Sequence, residues 1–174
     1  VFNAREYSVE KNNLHQLNKA LNTPVQIHPA LYQALEMIER LESRYLYLAP
    51  VYTEYNSLFF CNEDWETAGF DPHQNADIRE YAAQAAAFAG DPEHVRIDLL
   101  GNNTAQLTVS DAYAAFAQEN GIDCFADLYW MKNAFIIDYL AQVLESNGYN
   151  RGALSSYDGY SRCLSAEQLS YSQQ

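Results

Sequence analysis

The chain has 174 residues, of which 48% are hydrophobic and 19% are charged, and its formal net charge is −13 at pH 7. This composition is that of a single globular domain with its own hydrophobic core, and it excludes a disordered or collagen-like chain. Because so acidic a surface repels phosphate groups, it disfavours nucleic acid and anionic membranes as partners.

The spacing of apolar residues predicts a helix, a strand and a helix in the first 46 residues. Leucines three and four positions apart predict a helix over residues 14–21, which the turn at 22–24 ends. Residues 25–27 are short and extended, and an amphipathic helix follows from Pro29 to about residue 46. Residues 47–60 lack a clean period, so we expect irregular or strand-like structure there.

The middle of the chain predicts a helix followed by a β-hairpin. Asn75 is suited to accept the first backbone hydrogen bonds of a helix, and the alanine-rich residues 76–89 continue it as far as a glycine. Apolar and polar residues alternate over 95–99 and again over 105–109, and a Gly-Asn-Asn turn separates the two runs. This pattern is typical of two antiparallel strands.

Two further helices and a second hairpin complete the prediction. Helices are expected over residues 111–119, after a capping serine, and over residues 131–147. Two short strands, 152–156 and 160–164, are joined by an Asp-Gly turn. The predicted apolar face of the last helix consists of Ile136, Ile137, Leu140, Val143 and Leu144.

Helices and hairpins in irregular succession favour an α+β fold, in which helices pack on an antiparallel or mixed sheet. A doubly wound parallel fold would need regular alternation of strands and helices. No apolar run approaches the ~18 residues of a membrane span, and no secretory signal is recognisable. We therefore expect a cytoplasmic protein, or an exported one if a leader preceded Val1.

The common catalytic motifs do not occur. The chain has no phosphate-binding glycine loop, no HExxH zinc motif and no GxSxG nucleophile motif. Its three cysteines include no CxxC pair, which predicts reduced thiols rather than a disulfide framework or a zinc site. Its four histidines lie far apart without ligand-like spacing.

The segment from Asp127 to Asp138, Asp-Leu-Tyr-Trp-Met-Lys-Asn-Ala-Phe-Ile-Ile-Asp, carries a family resemblance. It resembles the FAD:protein FMN transferases (ApbE-like), whose members have Asp-Leu-Gly-Gly-Ile-Ala-Lys-Gly-Tyr-Ala-Val-Asp where a strand meets a helix. Residues 17–20 with the helix after them, and residues 148–159, resemble further family segments in the same order. The resemblance implies a flavin transferase-like α+β fold, FAD and Mg²⁺ as cofactors, and transfer of FMN to a protein Thr or Ser.

This chain differs from the family at several working positions. Tyr129 and Trp130 replace a Gly-Gly pair, and their side chains obstruct the close approach of backbone to a flavin nucleotide. Asn133 stands where the family has Lys. Lys132 precedes it by one residue, which is about 100° around a helix. These differences predict one divergent domain over residues 1–174 that lacks the family's terminal segments.

The resemblance gives seven candidate nucleotide-binding residues and no metal ligand. The two rings are suited to stack on a planar ligand, and the lysine to contact phosphate. An alternative for the first aspartate is that it caps the following helix, with Asp138 on that helix's exposed face. The candidates are Asp127, Tyr129, Trp130, Lys132, Asn133, Asp158 and Gly159.

The leading prediction is a flavin transferase-like domain with a degenerate nucleotide and metal site. It would act as a non-catalytic module that binds a flavin nucleotide or a protein partner. One alternative is an active, Mg²⁺-dependent FAD:protein FMN transferase. Another is an acidic interaction domain that binds a basic protein surface through residues 54–77 and takes no small-molecule ligand.

Overall fold

The computed structural model describes residues 1–4, 13–48, 71–129 and 131–164. The chain divides into two compact units, Val1–Tyr129 and Trp130–Gln174, which we call unit 1 and unit 2. Irregular structure was predicted for residues 47–60, and most of these lie outside the described residues. The same holds for most of residues 54–77, which were predicted as a surface for a basic partner. The presence of one flavin transferase-like domain stays a prediction.

The described residues form helices and small antiparallel sheets, which confirms the α+β class. The strands of unit 1, β1 (Val25–Gln26), β2 (Val95–Gly101) and β3 (Thr104–Val109), are ordered β1-β3-β2, and those of unit 2, β4 (Ala153–Ser155) and β5 (Ser161–Cys163), form an antiparallel pair. Unit 1 contains α1 (Leu14–Lys19), β1 (Val25–Gln26), α2 (Pro29–Arg40), a 3-10 helix (Arg44–Tyr47), α3 (Ala76–Gly90), β2 (Val95–Gly101), β3 (Thr104–Val109) and α4 (Asp111–Glu119). Unit 2 contains α5 (Lys132–Ser146), β4 (Ala153–Ser155) and β5 (Ser161–Cys163).

Two predicted helix caps are confirmed in unit 1. The side chain of Asn75 accepts hydrogen bonds from the backbone N–H groups of Asp77 and Ile78 at the start of α3. The side chain of Ser110 accepts one from the N–H of Tyr113 at the start of α4. These N–H groups have no partner within their helices, so a capping oxygen fixes where each helix begins.

The prediction that α2 continues to about residue 46 is wrong, because the helix ends at Arg40. The N–H groups of Glu42 and Ser43 turn back to the carbonyls of Glu39 and Ile38, at 2.9 and 3.0 Å. Glu42 takes the left-handed conformation, with φ of 52°, that usually closes such a helix end. The chain then restarts as the 3-10 helix, which buries Tyr47.

The hairpin of β2 and β3 forms as predicted, with Val95 opposite Val109 and Leu99 opposite Ala105. Its turn places Asn102 and Asn103 at φ of 49° and 57°, a left-handed conformation that asparagine tolerates better than most residues. Alternate residues of β3 are buried, so one face of this strand lies in the core.

An aromatic cluster lies in the core of unit 1. Tyr113 of α4 is wholly buried and stacks on Phe88 of α3, with 5.0 Å between the ring centroids. Phe125 meets Tyr113 edge-on at 5.0 Å, and Phe116 lies 5.1 Å from Phe88. The cluster therefore joins α3, α4 and the segment that leads to Asp127.

In unit 2 the predicted apolar face of α5 is buried only in part. Leu140 and Val143 are 43% and 40% exposed, whereas Ile137 and Ala141 are buried. Arg162 of β5 forms ion pairs with Asp138 at 2.7 Å and with Glu145 at 3.3 Å. Asp138 and Glu145 are two helical turns apart and therefore lie on the same side of α5. Their ion pairs with Arg162 turn that side of the helix towards the hairpin, and Leu140 and Val143 lie on the opposite side.

Across the parts of the chain that the structure describes, none of the helices combines the length and the apolar character that a bilayer span requires.

Candidate functional site

The seven predicted site residues are divided between the two units. Asp127 and Tyr129 belong to unit 1, whereas Lys132, Asn133, Asp158 and Gly159 belong to unit 2. Trp130 lies outside the described residues, so its predicted stacking role stays a prediction.

In unit 1, Asp127 forms a local turn, and its predicted alternative role as a helix cap stays a prediction. Its Oδ1 accepts the N–H of Tyr129 at 3.0 Å, and its own N–H donates to the carbonyl of Tyr47 at 2.8 Å. The residue at the cap position of α5 is Met131, which offers no side-chain hydrogen bond. Tyr129 is 50% exposed, so its ring presents apolar surface to solvent.

The segment before Asp127 is held by Asn18, which the sequence singled out only as part of a family-like Leu-Asn pair. Its Oδ1 accepts the N–H groups of Phe125 and Ala126 at 2.9 and 3.0 Å. Its Nδ2 donates to the carbonyl of Ala126 at 2.8 Å. This one buried amide therefore fixes the backbone that leads into Asp127.

In unit 2 the structure brings Lys132, Asn133 and Asp158 together. Asn133 Nδ2 donates a hydrogen bond to Asp158 Oδ2 at 2.9 Å, and the Ser156 hydroxyl donates to the other carboxylate oxygen. The bond from Ser156, and to a lesser extent that from Asn133, holds the pKa of Asp158 below its ordinary value. The positive charge of Lys132 lowers this pKa further. Asp158 is therefore a hydrogen-bonded carboxylate at neutral pH.

Gly159 closes the predicted Asp-Gly turn between β4 and β5. Its φ of 93° lies in the left-handed region, which a residue without a side chain adopts at no steric cost. Ser156 and Tyr160 bond across the turn, with 2.8 Å between the Ser156 nitrogen and the Tyr160 carbonyl oxygen. The turn thereby presents Asp158 to the start of α5.

The first turn of α5 receives no hydrogen bond from the side chain of its N-cap residue, Met131. The first N–H groups of a helix have no partner within the helix itself. Such N–H groups form the positive end of the helix dipole, and Lys132 adds a full positive charge at the same place. This arrangement suits a bound anion such as a phosphate.

The described residues offer no clustered set of ligands for a metal ion. Over residues 1–4, 13–48, 71–129 and 131–164, no group of three or more His, Cys, Asp or Glu side chains is arranged to hold one. Proteins usually hold Mg²⁺ with one or two carboxylates, together with water and substrate phosphates, in near-ideal octahedral geometry. Of the predicted site residues in unit 2, Asp158 alone carries a carboxylate.

Replacing Ser156 with alanine is expected to raise the pKa of Asp158 towards the ordinary carboxyl value of about 3.9. The hydroxyl hydrogen bond favours the ionised form, so its loss makes protonation easier. In the unsubstituted chain this bond stabilises the folded state at every pH above the ordinary carboxyl pKa. The stabilisation is lost as the pH falls through the lowered pKa that Asp158 has in the folded state. Carbon-13 NMR titration of the Asp158 carboxyl measures the change.

Ser155→Ala is the matched control for that titration. Its hydroxyl contacts Ser161 on β5 at 3.0 Å and does not contact Asp158. The Asp158 titration should therefore stay where it is in this variant. An equal shift in both variants would show that the low pKa of Asp158 does not depend on the Ser156 bond.

Comparison with protein-family models, with curated proteins and with solved structures finds no match to this chain. The flavin transferase resemblance thus depends on residues 17–20, 127–138 and 148–159 of this chain.

Proposed function

We propose that this protein is a flavin transferase-like domain that binds a flavin nucleotide without transferring it. The observation that carries the proposal is the first turn of α5, whose N-cap residue makes no side-chain hydrogen bond and which bears Lys132 next to the Asn133–Asp158 pair. Three of the residues that the family resemblance selects thereby meet in one place. A flavin nucleotide offers a phosphate for the positive groups and ribityl hydroxyls for the carboxylate.

The phosphate would lie against the start of α5. Backbone N–H groups at a helix N-terminus bind phosphate oxygens, and a nearby ammonium adds a charge-assisted hydrogen bond. Lys132 is half-buried and lies in the first turn of this helix. Phosphate binding at a helix start does not require a glycine-rich loop. It is therefore compatible with Tyr129 and Trp130 in place of the family's Gly-Gly pair.

Asp158 would receive hydroxyl groups of the ligand. An ionised carboxylate has about four acceptor positions on its two oxygens. Asn133 and Ser156 use one position on each oxygen, so both oxygens keep acceptor capacity. A sugar-like chain of hydroxyls next to a phosphate satisfies both halves of this arrangement.

The proposal omits catalysis because the described residues offer no clustered set of ligands for the metal that the transfer requires. Cleavage of a pyrophosphate bond develops negative charge on the phosphates, and enzymes neutralise this charge with a divalent cation. The carboxylate of this site is hydrogen-bonded within its own hairpin and has no partner carboxylate among the described residues. Binding is therefore the function that the geometry of unit 2 supports best.

Calorimetric titration of the full chain with FMN and with riboflavin tests the proposal. We expect FMN to bind about 10-fold more tightly, because only FMN carries the phosphate. Lys132→Ala should weaken FMN binding by about 10-fold and leave riboflavin binding unchanged. Lys19→Ala removes the same charge from an exposed position at the end of α1 and should change neither affinity.

Two results would contradict the proposal. Equal affinities for FMN and riboflavin, or no binding of either, would contradict a phosphate site at the start of α5. Release of FMN from FAD in the presence of Mg²⁺ would instead show that the protein is an active transferase, and the non-catalytic part of the proposal would be wrong.

A further inference from the structure

A cavity in unit 1 is separate from the residues discussed above. It has a volume of about 260 Å³ and lies between α2, the 3-10 helix and β2. Among the described residues its lining consists of Leu35, Glu39, Glu42, Arg44, Tyr47, Ile97 and Leu99. An engineered apolar cavity of about 150 Å³ holds benzene, so this one has room for a ring with a short side chain.

The lining of the cavity combines apolar and acidic side chains. Leu35 is buried, and Ile97 and Leu99 contribute aliphatic surface from the inner face of β2. Glu39 and Glu42 are exposed and lie where the cavity meets solvent. A ligand that fits has an apolar body and a polar group that points towards the two carboxylates.

The charges of the lining favour a cation. Within the described residues, neither Glu39 nor Glu42 forms an ion pair. Arg44 does not neutralise them by contact, because its guanidinium donates to the carbonyls of Val95 and Ala89, each at 2.8 Å. The lining therefore carries two negative charges and one positive charge, and its net charge is negative, like that of the whole chain.

Tyr47 contributes a buried hydroxyl to the lining. It is only 6% exposed, and its hydroxyl oxygen accepts the N–H of Ile97 at 3.2 Å. Burial raises the pKa of this hydroxyl, so it keeps its hydrogen at neutral pH. No described residue accepts that hydrogen, and a buried donor without an acceptor is costly unless a ligand or water completes it.

The position of Glu42 agrees with a role at the cavity mouth. Its φ of 52° is one that glycine adopts without strain, and glycine is the common residue at this point of a helix end. The turn therefore does not itself require a glutamate. What the glutamate adds is a carboxylate at the entrance of the cavity.

We propose that this cavity binds an arylalkylamine, a small molecule with one aromatic ring and a protonated primary amine on a short chain. The ring occupies the space between Leu35 and Leu99. The ammonium group binds the carboxylates of Glu39 and Glu42, and an oxygen on the far side of the ring accepts the Tyr47 hydroxyl. This site is independent of the flavin site proposed on unit 2.

The test is a calorimetric titration of the full chain with four small probes of similar size. Tyramine has both the amine and the ring hydroxyl, and we expect it to bind most tightly with one molecule per chain. Phenethylamine lacks the hydroxyl and should bind about 5-fold more weakly, because Tyr47 then has no acceptor. The neutral 4-ethylphenol and the anionic 3-(4-hydroxyphenyl)propionate should bind at least about 10-fold more weakly than tyramine.

Variants connect the binding to this cavity. The double variant Glu39→Gln with Glu42→Gln should weaken tyramine binding by about 10-fold. Glu36→Gln, at an exposed position of α2 outside the lining, should leave it unchanged. Leu99→Trp fills the cavity and should abolish binding, with circular dichroism confirming that the variant is folded.

The outcome is separable from that of the flavin experiment. Lys132→Ala should leave tyramine binding unchanged, and the double glutamine variant should leave FMN binding unchanged. The proposal is overturned if tyramine does not bind, if the anionic probe binds as tightly as tyramine, or if Glu36→Gln weakens binding as much as the double variant does.

Discussion

Asn18→Ala is expected to lower the free energy of unfolding by about 3–4 kcal/mol. The substitution removes the partner of two buried N–H groups, those of Phe125 and Ala126, and one of the donors to the Ala126 carbonyl, which also accepts from the Cys124 thiol. Each buried group left without a partner costs about 1–3 kcal/mol, and water entering the space recovers part of the total. Urea unfolding followed by circular dichroism measures the loss.

Two further variants separate hydrogen bonding from other effects. Asn18→Leu keeps much of the side-chain volume and should destabilise by a similar amount, because the backbone groups still lack partners. Asn120→Ala removes an exposed asparagine that donates to a single carbonyl, that of Phe116, at 2.8 Å, and should cost less than about 1 kcal/mol. Equal losses for Asn18→Ala and Asn120→Ala would refute the role given to the buried amide.

Tyr113→Ala is expected to cost about 4 kcal/mol of unfolding free energy. The ring is wholly buried, and it contacts Phe88 by stacking and Phe125 by its edge. Its removal leaves a cavity among α3, α4 and the segment before Asp127, and it also removes the aromatic pairing. The same urea titration measures this change.

Tyr45→Ala serves as the control for the aromatic cluster. Tyr45 belongs to the 3-10 helix and is 57% exposed, and its hydroxyl lies 3.5 Å from that of Ser43. Its truncation should change the unfolding free energy by no more than about 0.5 kcal/mol. A loss below about 2 kcal/mol for Tyr113→Ala would show that the cluster contributes less than its burial indicates.

The failure to predict the end of α2 illustrates how local spacing can mislead. Leu41 and Tyr45 continue the apolar period of the helix, yet they are 60% and 57% exposed. The helix ends instead where the backbone turns back on Ile38 and Glu39, and the residue that becomes buried is Tyr47. Periodicity identifies residues that are able to pack, whereas the rest of the fold decides which of them do.

The candidate sites show the same division between local and distant information. The resemblance placed Asn133 and Asp158 among the same candidates, but it did not indicate that their side chains bond to each other. The residues that line the cavity of unit 1 carried no sequence signal, because their motif is assembled from α2, the 3-10 helix and β2. A helix end and a strand about 50 residues later meet only in the folded chain, as Arg44 and Val95 do.

The sequence by itself determined the elements whose signals are contained within a few residues. The caps at Asn75 and Ser110, the Asn-Asn turn of the first hairpin and the Asp-Gly turn of the second each depend on bonds between near neighbours. Tertiary structure decided what Asn18 binds 108 residues away and which face of α5 meets its hairpin. The reason is physical: a buried polar group takes whichever partner packing brings within about 3 Å, and packing depends on the whole chain.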